Sequence, residues 1–211
     1  IKIIMALPDF LVDRYRDWKN NKFPKKLQSY KLAEAQGQKP KAMIISCCDS
    51  RVHATKILRG DIGDFFIHRN IANLIPPFSK DVEYSETLSS IEYGVKHLNI
   101  SNIILLGHSN CGGINYAHQL LSNNAKDENF FINNWVKNIA PAYLELDHNL
   151  SKDNQIKSLE KLSIINSISN LNKFSIINKN KINIYGLWFE ISSGKLMYYD
   201  SNNKKFQNIN H

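Results

Sequence analysis

The apolar residues of this chain fall into two kinds of pattern. Ala42-Met43-Ile44-Ile45-Ser46 is a short run without polar alternation that ends at Cys47, the mark of a strand buried on both faces. Asp64-Phe65-Phe66-Ile67-His68 and Asn102-Ile103-Ile104-Leu105-Leu106 are two more such runs, and Leu88, Ile91, Val95 and Leu98 between them recur at helical spacing. Strand, helix, strand predicts a parallel sheet with helical crossovers. Upstream, Phe10, Leu11, Tyr15, Trp18, Leu27, Tyr30 and Leu32 are spaced for helices over 9–36, broken near Phe23-Pro24 into two that pack on something larger. Gly112-Gly113 open another helical pattern, and residues 128–172 hold at least two more helices. Ile182 to Ile191, the turn Ser192-Ser193-Gly194-Lys195 and Leu196 to Tyr199 predict a closing hairpin. The expected class is α/β, a mostly parallel central sheet flanked by helices.

Composition narrows this picture. A chain of 211 residues, 43% hydrophobic, fits a single domain over 1–211. The chain starts at Ile1, and Met5 opens the first amphipathic stretch, so residues 1–4 are expected to lie upstream of the natural start and are given no function. IKIIMALPDF lacks the basic region, long apolar core and cleavage site of a secretory signal, which makes the cytoplasm the expected location. No apolar run approaches the roughly 18 residues of a membrane span, so no membrane partner is expected. The net charge of +8 divides into +6 over 1–46, −3 over 47–149 and +5 over 150–211. Neither basic end interleaves Lys or Arg with aromatics in a recognisable motif, so no nucleic-acid partner is expected either. Cys47, Cys48 and Cys111 are odd in number and two are adjacent, which excludes a disulfide framework and leaves reduced thiols, metal ligands or a catalytic thiol.

Two of the predicted strands end in metal-ligand residue types. Cys47 closes the first, and His108-Ser109-Asn110-Cys111 follows the third, at the carboxyl ends where an open α/β sheet forms its functional crevice. Two thiolates and one imidazole, with a fourth position left for water, describe a catalytic zinc rather than a structural one. Asp49 is the candidate to stand beside that fourth position, where it would accept a hydrogen bond from the hydroxide there or, in another state, bind the zinc itself, and Arg51, two residues on, can form a charge-assisted pair that keeps it ionised and oriented.

Ser46-Cys47-Cys48-Asp49-Ser50-Arg51-Val52 and Gly107-His108-Ser109-Asn110-Cys111-Gly112-Gly113 resemble the two signatures of the β-class carbonic anhydrases, of the plant-like subtype. The resemblance extends to Gly63–Asn70, Ser90–Val95 and Gly186–Ile191, nearly the whole chain from Met5 to Asp200. It implies a zinc lyase that converts CO2 and water reversibly to bicarbonate and a proton, with N-terminal helices that pack on a partner subunit in a homodimer or multiple of dimers. Carried over by residue, it makes Cys47, His108 and Cys111 the zinc ligands, Asp49 and Arg51 the catalytic dyad, and Cys48 a variable position. It also places Gln38, Phe66, Ile71 and Tyr93 in the CO2 pocket, with the Gln38 amide and backbone amides after Cys111, beginning at Gly112, as donors to a substrate oxygen. Where another subtype holds inhibitory bicarbonate with Trp, Tyr and Arg, this chain has Ile44, Phe189 and Arg69, so no bicarbonate switch is expected.

Plainer readings accompany several residues. Phe66 and Tyr93 are core aromatics of any α/β domain on pattern alone, Gln38 lies in a polar connection, and Cys48 reads as a small buried residue. His53 and His118 are the histidines considered for proton export, although surface or core-edge histidines are the plainer reading of both. Two alternatives use the same ligands: hydrolysis of CS2 or COS, and a zinc-bound regulatory protein without catalysis. The intact Asp49 and Arg51 argue against the second.

Overall fold

The computed structural model describes residues 7–79, 84–123 and 129–209. Residues 1–4 therefore lie outside the described residues. The chain divides into two compact units, one up to Lys39 and one from Pro40 onward.

The first unit is helical: α1 (Asp9–Asp17), a π-helical turn over Trp18–Lys22, and α2 (Phe23–Gln36). The break expected at Phe23-Pro24 is not a break in the helical backbone. Pro24 sits in the first turn of α2, where its missing N–H costs no intrahelical bond, and the wide turn before it absorbs the change. The rings of Trp18, Phe23 and Tyr30 gather around that turn with centroids 5.2 to 6.0 Å apart. Phe10, Leu11, Tyr15 and Leu32 remain exposed.

The second unit runs β1 (Ala42–Cys47), α3 (Ala54–Ile57), β2 (Phe65–Asn70), a 3-10 turn over Ile71–Asn73, α4 (Glu86–Lys96), β3 (Asn102–His108) and α5 (Gly112–Asn123). It continues through α6 (Phe130–Val136), α7 (Ala140–Leu144), α8 (Lys152–Lys173), α9 (Ser175–Lys179), β4 (Asn183–Phe189), β5 (Leu196–Asp200) and β6 (Lys205–Asn208). The sheet order is β2-β1-β3-β4-β5-β6, with the first four strands parallel and the hairpin antiparallel. The predicted α/β class, parallel strands and hairpin are all present. Pattern reading did not find α9 or β6, and β3 runs two residues further than expected, to His108. Among the described residues no helix is long and apolar enough to cross a membrane.

Why the unbroken apolar runs become central strands is visible in their burial. On β1, Met43 and Ile45 join Ile91, Val95, Ile103, Leu105 and Ile164 on one face, while Ile44 joins Val52, Ala54 and Leu106 on the other. Each such side chain, fully removed from water, contributes about 1.5–3 kcal/mol, which no alternating strand could gain on both faces. Helix α8 packs tightly over β3 and β4 because two glycines admit it. A Cβ on Gly107 would lie 2.7 Å from Ile164 Cδ1, and one on Gly186 would lie 2.8 Å from Ile164 Cγ2.

Candidate metal centre

The parallel register aligns the strand ends that matter. Ser46 pairs with Leu106, so Cys47, the last residue of β1, lies beside the end of β3, where His108 is the last residue. Cys111 follows three residues later, immediately before α5. All three are buried, and their ligand atoms lie within 4.8 Å of one another. The two sulfurs are 3.9 Å apart, against about 3.8 Å for two thiolates at 2.3 Å from a tetrahedral zinc. His108 Nδ1 donates to the Ser109 carbonyl at 2.9 Å, so Nε2 is the basic nitrogen, and it is buried with no hydrogen-bond partner among the described residues. A histidine with one nitrogen pinned and the other bare toward two sulfurs is the arrangement a metal ligand requires. Among the described residues no other cluster of three His, Cys, Asp or Glu side chains meets this spacing.

Two buried thiolates are costly unless donors face them. The backbone N–H groups of Asp49 and Ala72 turn toward Cys47, and those of Gly113 and Ile114 toward Cys111. Cys47 is accordingly pushed down to about 4, chiefly by the hydrogen bond from the Cys111 thiol, while that bond and burial push Cys111 up. Burial opposes the His108 imidazolium, but Cys47, the Ser109 carbonyl and Asp49 outweigh it and raise the group. Two of the amides after Cys111 are thus aimed at its sulfur rather than at a substrate, a correction to the expected oxygen-binding row that leaves Gly112. Ala72 reaches its place with φ 64°, a conformation rare for a residue with a Cβ. Gly113 accommodates it: a Cβ there would lie 2.7 Å from Ile71 Cγ2 and 3.0 Å from Ala72 Cβ.

The acidic group beside the centre is held by one arginine. Arg51 donates from Nε to Asp49 Oδ1 at 3.0 Å and from a terminal nitrogen to Oδ2 at 2.7 Å, and its backbone N–H adds a bond to Oδ1 at 2.9 Å. The Arg51 side-chain bonds hold the Asp49 carboxyl well below the usual carboxylate range. Asp49 Oδ2 lies 3.9 Å from His108 Nε2. Arg51 also donates to the Asn110 carbonyl at 2.9 Å, which ties the loop after β1 to the one before Cys111. Arg69 secures the first loop, donating to the carbonyls of Cys47, Asp49 and Val52 at 2.7–2.9 Å.

One participant was missed from the sequence. Glu160 on α8 is 3% exposed; its Oε1 accepts the Cys111 N–H at 3.1 Å and its Oε2 accepts the Trp188 indole N–H at 3.1 Å. Burial pushes this carboxyl up, against those two donors. Pattern alone did not single it out: its buried stripe on α8 holds Ser163 and Ser167 beside Ile164 and Leu171, so polar residues interrupt the apolar periodicity that would mark an inward face.

The remaining expected site residues are dispersed. Ile71 stands against Gly113 and lines a cavity of about 350 Å³ with Cys48, Arg69, Glu86, Phe131 and Trp135. Cys48 is exposed, not the small buried residue expected, because it lies one residue beyond the buried strand. Phe66 and Tyr93 pair with ring centroids 6.0 Å apart, but Phe66 is in register with Met43, four residues back from Cys47, about 13 Å along the strand. Gln38 belongs to the first unit, just beyond α2. His53 is exposed, whereas His118 is buried and bonded to Gln155 at 2.8 Å, away from the surface where proton export would need it.

A sequence model described as carbonic anhydrase matches residues 42–196. The chain is 34% identical over 184 residues to beta carbonic anhydrase 3 of Arabidopsis thaliana, an alignment covering 84% of this chain and 70% of that protein. In structure it resembles the β-carbonic anhydrase CcaA with a TM-score of 0.88 at 23% identity, over 96% of this chain and 92% of the other. It resembles one of two tetrameric β-carbonic anhydrases from Sordaria macrospora with a TM-score of 0.75 at 28% identity, over 90% and 95%.

Proposed function

Because the chain belongs to the β-carbonic anhydrase family, we propose that it is a zinc-dependent enzyme of reversible CO2 hydration, with Cys47, His108 and Cys111 holding the metal. The observation that carries this reading is the bare, buried Nε2 of His108 facing two sulfurs beside an Asp49 carboxylate locked by Arg51. Zinc held there supplies Lewis acidity, which makes a hydroxide nucleophile available near neutral pH.

The chain's own groups do the rest. Asp49 offers an ionised oxygen beside the metal position and orients the nucleophile by accepting its hydrogen bond. Arg51 keeps that oxygen ionised and stops the carboxylate from turning into the metal position. Ile71 gives the substrate an apolar wall, and the Gly112 amide is the donor left for a substrate oxygen. Phe66 lies too far back along β2 to serve its own chain's centre, and Tyr93 on α4 pairs with it, so as pocket residues they serve that of a second copy. We assign Gln38 to the same pocket on the strength of the resemblance alone. With Ile44 in the core, Phe189 ending β4 and Arg69 committed to loop carbonyls, no bicarbonate switch operates.

The assembly is a homodimer or a multiple of dimers. Exposed Phe10, Leu11, Tyr15 and Leu32 on the helical unit support this, as does the tetrameric relative. The cytoplasm suits a centre that needs reduced thiols, and the three cysteines are free.

The test is stopped-flow CO2 hydration at about pH 8.5 on metal-free protein titrated with zinc. The reading expects activity that rises to one zinc per chain and then levels. Hydrolysis of COS or CS2 without CO2 hydration would replace it with the hydrolase alternative, and stoichiometric zinc with neither activity would leave a regulatory protein.

A further inference from the structure

Glu160 is placed more deliberately than a buried carboxylate in a helix requires. Cys111 is 1% exposed and directly precedes α5, so its N–H is one of the amides that a helix start leaves without an intrahelical partner. Glu160 Oε1 takes that N–H at 3.1 Å, from 49 residues further along the chain. The other oxygen is anchored by the Trp188 indole on β4 at 3.1 Å, so the carboxylate cannot rotate away without leaving a buried donor unpaired. Trp188 is itself 1% exposed, and the Lys161 ammonium sits 4.5 Å from the centroid of its ring. The closeness of α8 to β3 and β4 across Gly107 and Gly186 brings Glu160 within reach.

From this geometry we infer that Glu160 is a positioning residue for the metal ligand Cys111: by fixing the Cys111 amide, it sets the direction from which the Cys111 sulfur meets the metal. The inference rests on the proposed metal site. A glutamate is required because two N–H donors meet two acceptor oxygens. Glutamine has the same shape but one acceptor oxygen, and its NH2 would face one of the two N–H groups, donor against donor. Asp49 and Arg51 cannot substitute for Glu160, because their bonds reach the Asn110 carbonyl but not the Cys111 amide.

The test is the rate at which zinc-loaded protein releases zinc to an excess of chromophoric chelator, with the thiolate-to-metal charge-transfer band of the cobalt(II)-substituted protein as a second readout. Glu160→Gln is expected to release zinc about 10–100-fold faster and to shift that band, the range usual for losing a group that orients a metal ligand. Ile168→Ala, a truncation on the same helix two turns away, loosens the core without touching Cys111 and is expected to leave both readouts near wild type. If Glu160→Gln does not fold, Glu160→Asp decides, because its shorter chain keeps the charge but cannot span both donors. Release and band at wild-type values in whichever of these variants folds would overturn the inference. So would equal acceleration in Ile168→Ala, which would reduce Glu160 to general packing. A wild-type protein that takes up no zinc would overturn the metal reading and this inference with it, an outcome distinct from the first two.

Discussion

Cys47 and Cys111 offer the same atom to the same centre, yet the chain supports them in opposite ways. The carboxylate beside Cys47 is held locally and within reach of water: Asp49 and Arg51 follow within four residues, and their side chains are 14% and 50% exposed. The Cys111 side is remote and closed, since its amide is held by a glutamate 49 residues away that is 3% exposed and bonded to a buried tryptophan. An exposed ion pair contributes little to stability, so the first side is free to serve chemistry. A buried carboxylate is expensive to leave unpaired, so the second side serves rigidity. A substitution on the first side should therefore cost turnover, and one on the second should cost metal.

The largest effect is expected from removing a ligand outright. Cys111→Ser should lower zinc affinity by more than about 100-fold, exceeding what is usual for a group that only orients a ligand. Metal analysis after gel filtration checks this, and full retention of zinc would refute the ligand assignment. Arg51→Ala should leave zinc in place and lower kcat by about 10-fold, less than the roughly 10²–10⁴-fold an acid–base group itself contributes, because Arg51 acts through Asp49. The shift carries a sign: Arg51 holds Asp49 down, so without it Asp49 titrates nearer about 3.9, which an NMR titration of the Asp49 carboxyl reads directly. A carboxyl that still titrates as low as in the wild type would contradict the pairing.

How much of this was legible follows from distance along the chain. The strands β1, β2 and β3 announce themselves because burial on both faces leaves unbroken apolar runs, and Asp49 and Arg51 because an acid and an arginine two residues apart form a local pair. Glu160 was not legible, since its partners lie on a loop and a strand joined to it only by the fold. Nor was the part of Ala72, which acts through a backbone N–H that no side-chain pattern records. Helix α8 concealed its inward face because Ser163, Ser167 and Asn170 are buried there among the apolar residues, which blurs the expected periodicity. The π-helical turn at Trp18–Lys22 escaped for a related reason, because Pro24 signals a boundary without saying whether the helix stops or widens.

The smallest effect lies away from both sides and measures the scaffold. His68 on β2 shares a hydrogen bond with Thr87 Oγ1 at 3.0 Å, and burial lowers its pKa. An unfolded histidine takes up a proton as pH falls through about 6.5, whereas the folded one resists, so stability is full above that pH and declines below it. His68→Gln should flatten this segment of the stability curve, read from urea midpoints between about pH 7 and 5. A slope unchanged from wild type would assign the decline to other groups.

The division of labour between the two sides is tested most directly by measuring zinc occupancy and CO2 hydration together on Asp49→Ala. We predict one zinc per chain, as in wild type, with turnover per zinc reduced by about 100-fold or more, in keeping with the loss of a positioned acid–base group. Unchanged turnover, or a loss of activity that merely follows a loss of zinc, would contradict the account.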